Sequence, residues 1–159
     1  TVDMAKQLLE AAGYGHYEIS NYALPGLECL HNLSCWHGDD YLGLGPAASS
    51  RAGLKRWTNK PNIDQYVKAL SVGEPPPRDE EALTHESDLT ERLIFGFRLS
   101  EGVDISRFGK APAALRKHWD NTLAFLSQSG LIAQQNNRWT LTRSGRNFAD
   151  FVAYELIKV

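Results

Sequence analysis

The chain has 159 residues, of which 42% are hydrophobic and 23% charged, and its formal net charge is -2. Such a composition excludes a disordered chain, and no stretch approaches the roughly 20 consecutive apolar residues of a membrane span. The near-neutral charge supplies no global basic field for a phosphate backbone, and the length allows one ordinary domain or two small ones.

From the first residue, "TVDMAKQLLEAAGYGHYEIS" reads as a helix, a glycine turn and a strand. Val2, Ala5, Leu8, Leu9 and Ala12 recur at helical spacing, and Gly13 stands where a left-handed stop belongs. Thr1 is not a start methionine, and one helix cannot cover both faces of a strand. The expectation is a piece of a longer protein whose α/β layer lies upstream, leaving an apolar face that invites association. His16 to Ala23 predicts a single strand, broken by Pro25 and Gly26. Leu27 to Thr58 shows weak periodicity and dense glycine, which predicts irregular backbone built for close approach.

Asn62 is placed to cap a helix that carries Ile63, Tyr66, Val67 and Leu70 on one stripe. Glu74 to Ser87, with three consecutive prolines and five acidic residues, predicts a linker. Beyond it, Leu89, Leu93, Ile94 and Phe97 mark a helix, and Asp104 is placed to cap a short helical turn. Pro112 opens a helix with the stripe Leu115, Trp119, Leu123 and Leu126, and Gly130 stops it. Two short strands then flank a Gln-Asn-Asn turn. Thr142 caps a last helix whose apolar face is Phe148, Phe151, Val152 and Leu156. The fold class is α+β, divided into residues 1–73, a linker at 74–87 and a winged-helix-like domain at 88–159.

The densest chemistry is "CLHNLSCWH", with Cys29, His31, Cys35 and His37 close together. Zinc ligands fall in two close pairs separated by a longer loop, and the three residues between His31 and Cys35 leave little room for a second pair to fold back. With two cysteines six positions apart and no secretory segment at the start, reduced thiols and a cytoplasmic setting are expected. Haem asks for one axial imidazole, an apolar or aromatic wall and a fixed ring orientation, which His31, Trp36 and Asn32 can supply. A histidine that serves only as a hydrogen-bonding loop residue is the alternative.

"YEISNYALPGLECLHNLSCWHGDDYLGLGPAASS" resembles the segment that follows the catalytic core in HemW-type radical SAM proteins, relatives of the oxygen-independent coproporphyrinogen III oxidases. That family runs Y-E-[IV]-S-N, then H-N-x-x-Y-W, then Y-L-G-[LI]-G. "ERLIFGFRLSEGVD" and "LTRSGR" resemble its C-terminal domain. The resemblance implies that residues 1–73 close a partial α/β barrel, and that the longer protein holds a [4Fe-4S] cluster and S-adenosylmethionine. The three-cysteine cluster motif is absent from this sequence, so no catalytic residue is assigned in it.

By the same resemblance His31, Asn32, Cys35 and Trp36 bind haem, with His31 on the iron, and Ser20, Ala48 and Ile94 lie beside S-adenosylmethionine. Two positions depart from the family: Cys35 replaces its tyrosine and Ser49 its histidine. The implied partners are haem or porphyrin and a haem-accepting client that can be membrane-associated. Nucleic acid is not among them, and a homodimer stays open. Two rival functions are an oxygen-independent coproporphyrinogen III oxidase, which decarboxylates propionate side chains, and a winged-helix DNA-binding or interaction module.

Overall fold

A computed structural model of the chain describes residues 2–158. Thr1, Val159 and the side chains of Val2 and Asp3 lie outside the described residues, so the place of Val2 on the first apolar stripe does too. The fold mixes helix and antiparallel sheet in two compact units. One joins the stretch through Gly38 to the stretch from Leu89 onward, and the other is Asp39–Asp88. Among the described residues no helix is long and apolar enough to cross a membrane.

In the first unit, helix α1 (Val2–Ala11) ends at Gly13, whose φ of 85° is the left-handed stop expected there. The predicted strand from His16 to Ala23 is instead a hairpin of β1 (Gly15–Glu18) and β2 (Asn21–Ala23). Glu18 causes the reversal: its Oε1 accepts from the Ser20 backbone N–H at 2.8 Å and from Asn21 Nδ2 at 2.7 Å. A local carboxylate bond of this kind competes with continued pairing and closes a turn.

The apolar core of this unit lies almost wholly beyond Leu89. Helix α4 (His85–Arg98) contributes Leu93 and Phe97, and α5 (Ala113–Gln128) contributes Leu115, Trp119, Leu123 and Leu126. Between them come β6 (Val103–Asp104) and a 3-10 turn (Ile105–Phe108) that Asp104 caps through the Ser106 N–H. Strands β7 (Ile132–Gln135) and β8 (Arg138–Leu141) pair around Asn136 and Asn137, both at positive φ, and the sheet order is β6-β8-β7. Two successive left-handed residues match the twist of a tight hairpin, which is why asparagine serves there.

Thr142 caps as predicted, accepting from the Gly145 N–H at 2.9 Å while its hydroxyl donates to the Gly130 carbonyl at 2.7 Å. Gly145 is obligatory, because a Cβ there would stand 1.7 Å from the Leu131 carbonyl oxygen. The single last helix is a correction: it breaks at Phe148 into α6 (Arg143–Asn147) and α7 (Ala149–Ile157). The break resets the helical phase, so Val152 and Leu156 are buried while Phe148 and Phe151 face solvent.

The second unit replaces two expectations. Where loop was predicted, β3 (Ser49–Ala52) and β4 (Lys55–Asn59) form a hairpin. Where a linker was predicted, β5 (Arg78–Ala82) pairs with β4 along its whole length. These strands are polar, so alternation does not reveal them. Arg56 pairs with Glu81 across β4 and β5, Lys60 just beyond β4 pairs with Asp79, both at the exposed surface, and Arg51 forms a buried ion pair with Asp88. Asn62 caps α3 (Ile63–Ser71) as expected, but the stripe of Ile63, Val67 and Leu70 is exposed.

Candidate functional site

The cysteine and histidine stretch is not extended loop. Leu30–His37 forms helix α2, with Cys29 at its N-cap and Gly38 at φ 76° closing it. Its length explains why it is hard to read: two turns between glycines carry little periodicity, and none of its residues is fully buried. The helical turn sorts the motif into two i,i+4 pairs. His31 Nε2 faces Cys35 Sγ at 3.9 Å, and Trp36 Nε1–H donates to Asn32 Oδ1 at 3.1 Å.

The two pairs differ in setting. His31 is exposed, with its imidazole on an open helix face, and Cys35 is half-buried beside it. Trp36 is half-buried and held on three sides. Phe95 meets its ring edge-on at a centroid distance of 5.7 Å, the Arg98 guanidinium lies over the ring at 4.3 Å, and Asn32 fixes the indole N–H. The helix thus carries an accessible imidazole and, on its other pair, an immobilised aromatic ring, the two kinds of group a haem site requires. Among the described residues no group of three or more histidine, cysteine or acidic side chains is arranged to hold a metal ion by itself.

Two side chains that sequence reading misses complete this region. Glu18 has no exposed surface, and its Oε2 approaches Arg98 Nη2 at 3.8 Å. The "YEISN" segment is thereby linked to Trp36 through one arginine. The available signal is an acid following His16 and Tyr17 in a short strand, which is tolerated inside only with a partner.

His16, on β1, stacks on Tyr22 at 4.3 Å. Its Nε2 donates to the Ile19 carbonyl at 2.9 Å and its Nδ1 accepts from Arg146 at 2.8 Å. Burial, with Arg146 nearby, pulls its pKa below 6.5 against the opposing effect of the Ile19 carbonyl.

Ser20, Ala48 and Ile94 have internal roles. Ser20 sits in the β1–β2 turn with its N–H on Glu18, and Ile94 packs against the apolar core. Ala48 belongs to the second unit, where its N–H donates to Gly45 O and its carbonyl accepts from Asn59 N–H. The glycines around it serve close approach as predicted: a Cβ on Gly43 would lie 2.1 Å from the Ser49 carbonyl, and the Gly45 N–H reaches the Tyr66 hydroxyl at 2.9 Å. Ser49 bonds Thr58 across the β3–β4 pair.

Comparison with known proteins places these features. Residues 83–148 match the HemN C-terminal domain. The chain is 36% identical over 149 residues to a heme chaperone HemW of Mycobacterium tuberculosis, an alignment covering 94% of this chain and 36% of that one. It is 32% identical to heme chaperone HemW of Bacillus subtilis, covering 87% and 37%. Coproporphyrinogen III oxidase (HemN) from Escherichia coli, described as a radical SAM enzyme, shares the fold with a TM-score of 0.74 at 18% identity, over 99% of this chain and 40% of that one. The chain thus spans a little over a third of the length of its curated relatives. It is a HemW-like sequence that carries a HemN C-terminal domain.

Proposed function

We propose that this chain is the C-terminal part of a HemW-like haem chaperone, that it binds haem on α2 through His31, and that it passes the haem to a client protein. The observation that carries the reading is the arrangement on α2: an exposed imidazole, with Trp36 fixed by Asn32, Phe95 and Arg98. The similarity to curated heme chaperones supports it, whereas the likeness to the oxidase rests on fold at low identity, so the decarboxylase reading is not favoured.

In this reading His31 donates Nε2 to the iron, Trp36 shields one side of the macrocycle, and Cys35 stands where its sulfur can exchange with the imidazole. Transfer needs a ligand that lets go, and an exposed single-histidine site on a short helix suits release better than a closed pocket does. The winged-helix-like order of α4, β6, α5, β7 and β8 then serves as packing support for α2 and β1. In the longer protein Ser20, Ala48 and Ile94 would each lie toward S-adenosylmethionine. The setting would be cytoplasmic, with a client that can be membrane-bound, and any homodimer would be visible by light scattering.

The test is transfer. The chain loaded with haemin is mixed with an apo-globin, and appearance of the globin spectrum is followed over time. The reading expects transfer faster than from free haemin aggregates, with loading and transfer both lost in His31→Ala. Equal rates with and without the chain would reject it.

A further inference from the structure

We propose that Arg98 is the carboxylate anchor of the α2 site, binding an ionised propionate at the edge of the porphyrin, and that Glu18 holds its guanidinium in position. The proposal rests on the reading of α2 as a haem site and adds a second point of attachment to it. The Arg98 guanidinium carbon lies over the Trp36 ring, 4.3 Å from its centroid, so its donors are presented beside the aromatic wall. Its side chain is 28% exposed, which leaves an approach from solvent.

The guanidinium also has capacity to spare. Its Nη2 contact to Glu18 Oε2 is 3.8 Å, longer than a hydrogen bond. Glu18 cannot move closer without cost, because Oε1 is tied to Ser20 N–H and Asn21 Nδ2 and the residue has no exposed surface. A fixed internal carboxylate therefore orients Arg98 by charge without saturating its donors. A planar fork of this kind matches a second carboxylate two-pronged, which an ammonium would not. His31 and Trp36 lie on the same short helix, about 7.5 Å apart along its axis. In this proposal one ligand would meet the imidazole with its iron and Arg98 with its acidic edge.

The experiment compares haemin with haemin dimethyl ester, in which both propionates are neutral, on the chain and on Arg98→Met, with circular dichroism and melting as checks on folding. The unsubstituted chain should bind haemin roughly ten- to a hundredfold more tightly than the ester, the range set by a hydrogen bond to a charged group. Arg98→Met should abolish the preference, so that haemin and the ester bind the variant with the same affinity. Equal weakening of both ligands would overturn the proposal, since Arg98 would then only support Trp36, and an unaltered preference would overturn it as well. Should Arg98→Met fail to fold, Arg98→Gln carries the same comparison, and the same two results would overturn the proposal. Failure of both ligands to bind the unsubstituted chain, or binding indifferent to His31→Ala, would instead reject the haem reading, and the anchor would fall with it.

Discussion

The two units are held together by different forces. In the first, Trp119, Leu93, Leu126, Val152 and Leu156 are essentially without exposed surface and pack on one another. In Asp39–Asp88, the described side chains that are buried are Ser50, Arg51, Asn59 and Asp88, with Leu83 the apolar member. One interior gains from removing hydrocarbon from water. The other depends on polar groups that are stable only while each keeps its partner.

The largest effects should expose that contrast. Trp119 meets Phe108 edge-on at 5.8 Å inside the apolar core, so Trp119→Ala should cost about 3–5 kcal/mol in chemical denaturation. A loss below about 1 kcal/mol would mean that the core is loosely packed. Asp88→Ala removes a carboxylate from beside the buried Arg51, and removing one partner of such a pair costs about 3–5 kcal/mol. That loss should appear in hydrogen exchange as deprotection of β3, β4 and β5, with the core beyond Leu89 retained. Uniform deprotection of the whole chain would show that the two interiors do not unfold separately.

Smaller effects sharpen the picture. Thr142→Ala removes a cap and should cost about 1 kcal/mol, read from the shift of the denaturation midpoint. His16 tests the polar margin of the apolar unit. Its folded pKa lies below 6.5, so the folded chain binds fewer protons than the unfolded one in that window. The stability it provides is therefore complete above pH 6.5 and is lost as pH falls from there through the folded value. Melting measured at about pH 7.5 and about pH 5.5 should show a drop that His16→Gln reduces; an unchanged drop would assign it to other groups.

What was legible in the sequence follows the same division. The helices of the apolar unit announce themselves by period, and their ends by Asp104, Thr142 and Gly130, because those residues act locally. The last helix misleads at Phe148, where the break changes which aromatics turn inward. The second unit is opaque because its strands are charged on their exposed positions and are held by partners far away in sequence, such as Arg56 and Glu81. The candidate site falls between these cases. Its residues are visible in "CLHNLSCWH", but the helix that pairs His31 with Cys35 and Asn32 with Trp36 is too short to predict, and the Glu18 and Arg98 link is long-range.

The most direct measurement is an absorbance titration of haemin into the chain and into His31→Ala. Haem held on α2 by His31 predicts a Soret shift that saturates near one equivalent in the chain and is lost in the variant. A chain that produces no saturable shift, or a shift that survives His31→Ala unchanged, would contradict the assignment of haem to α2.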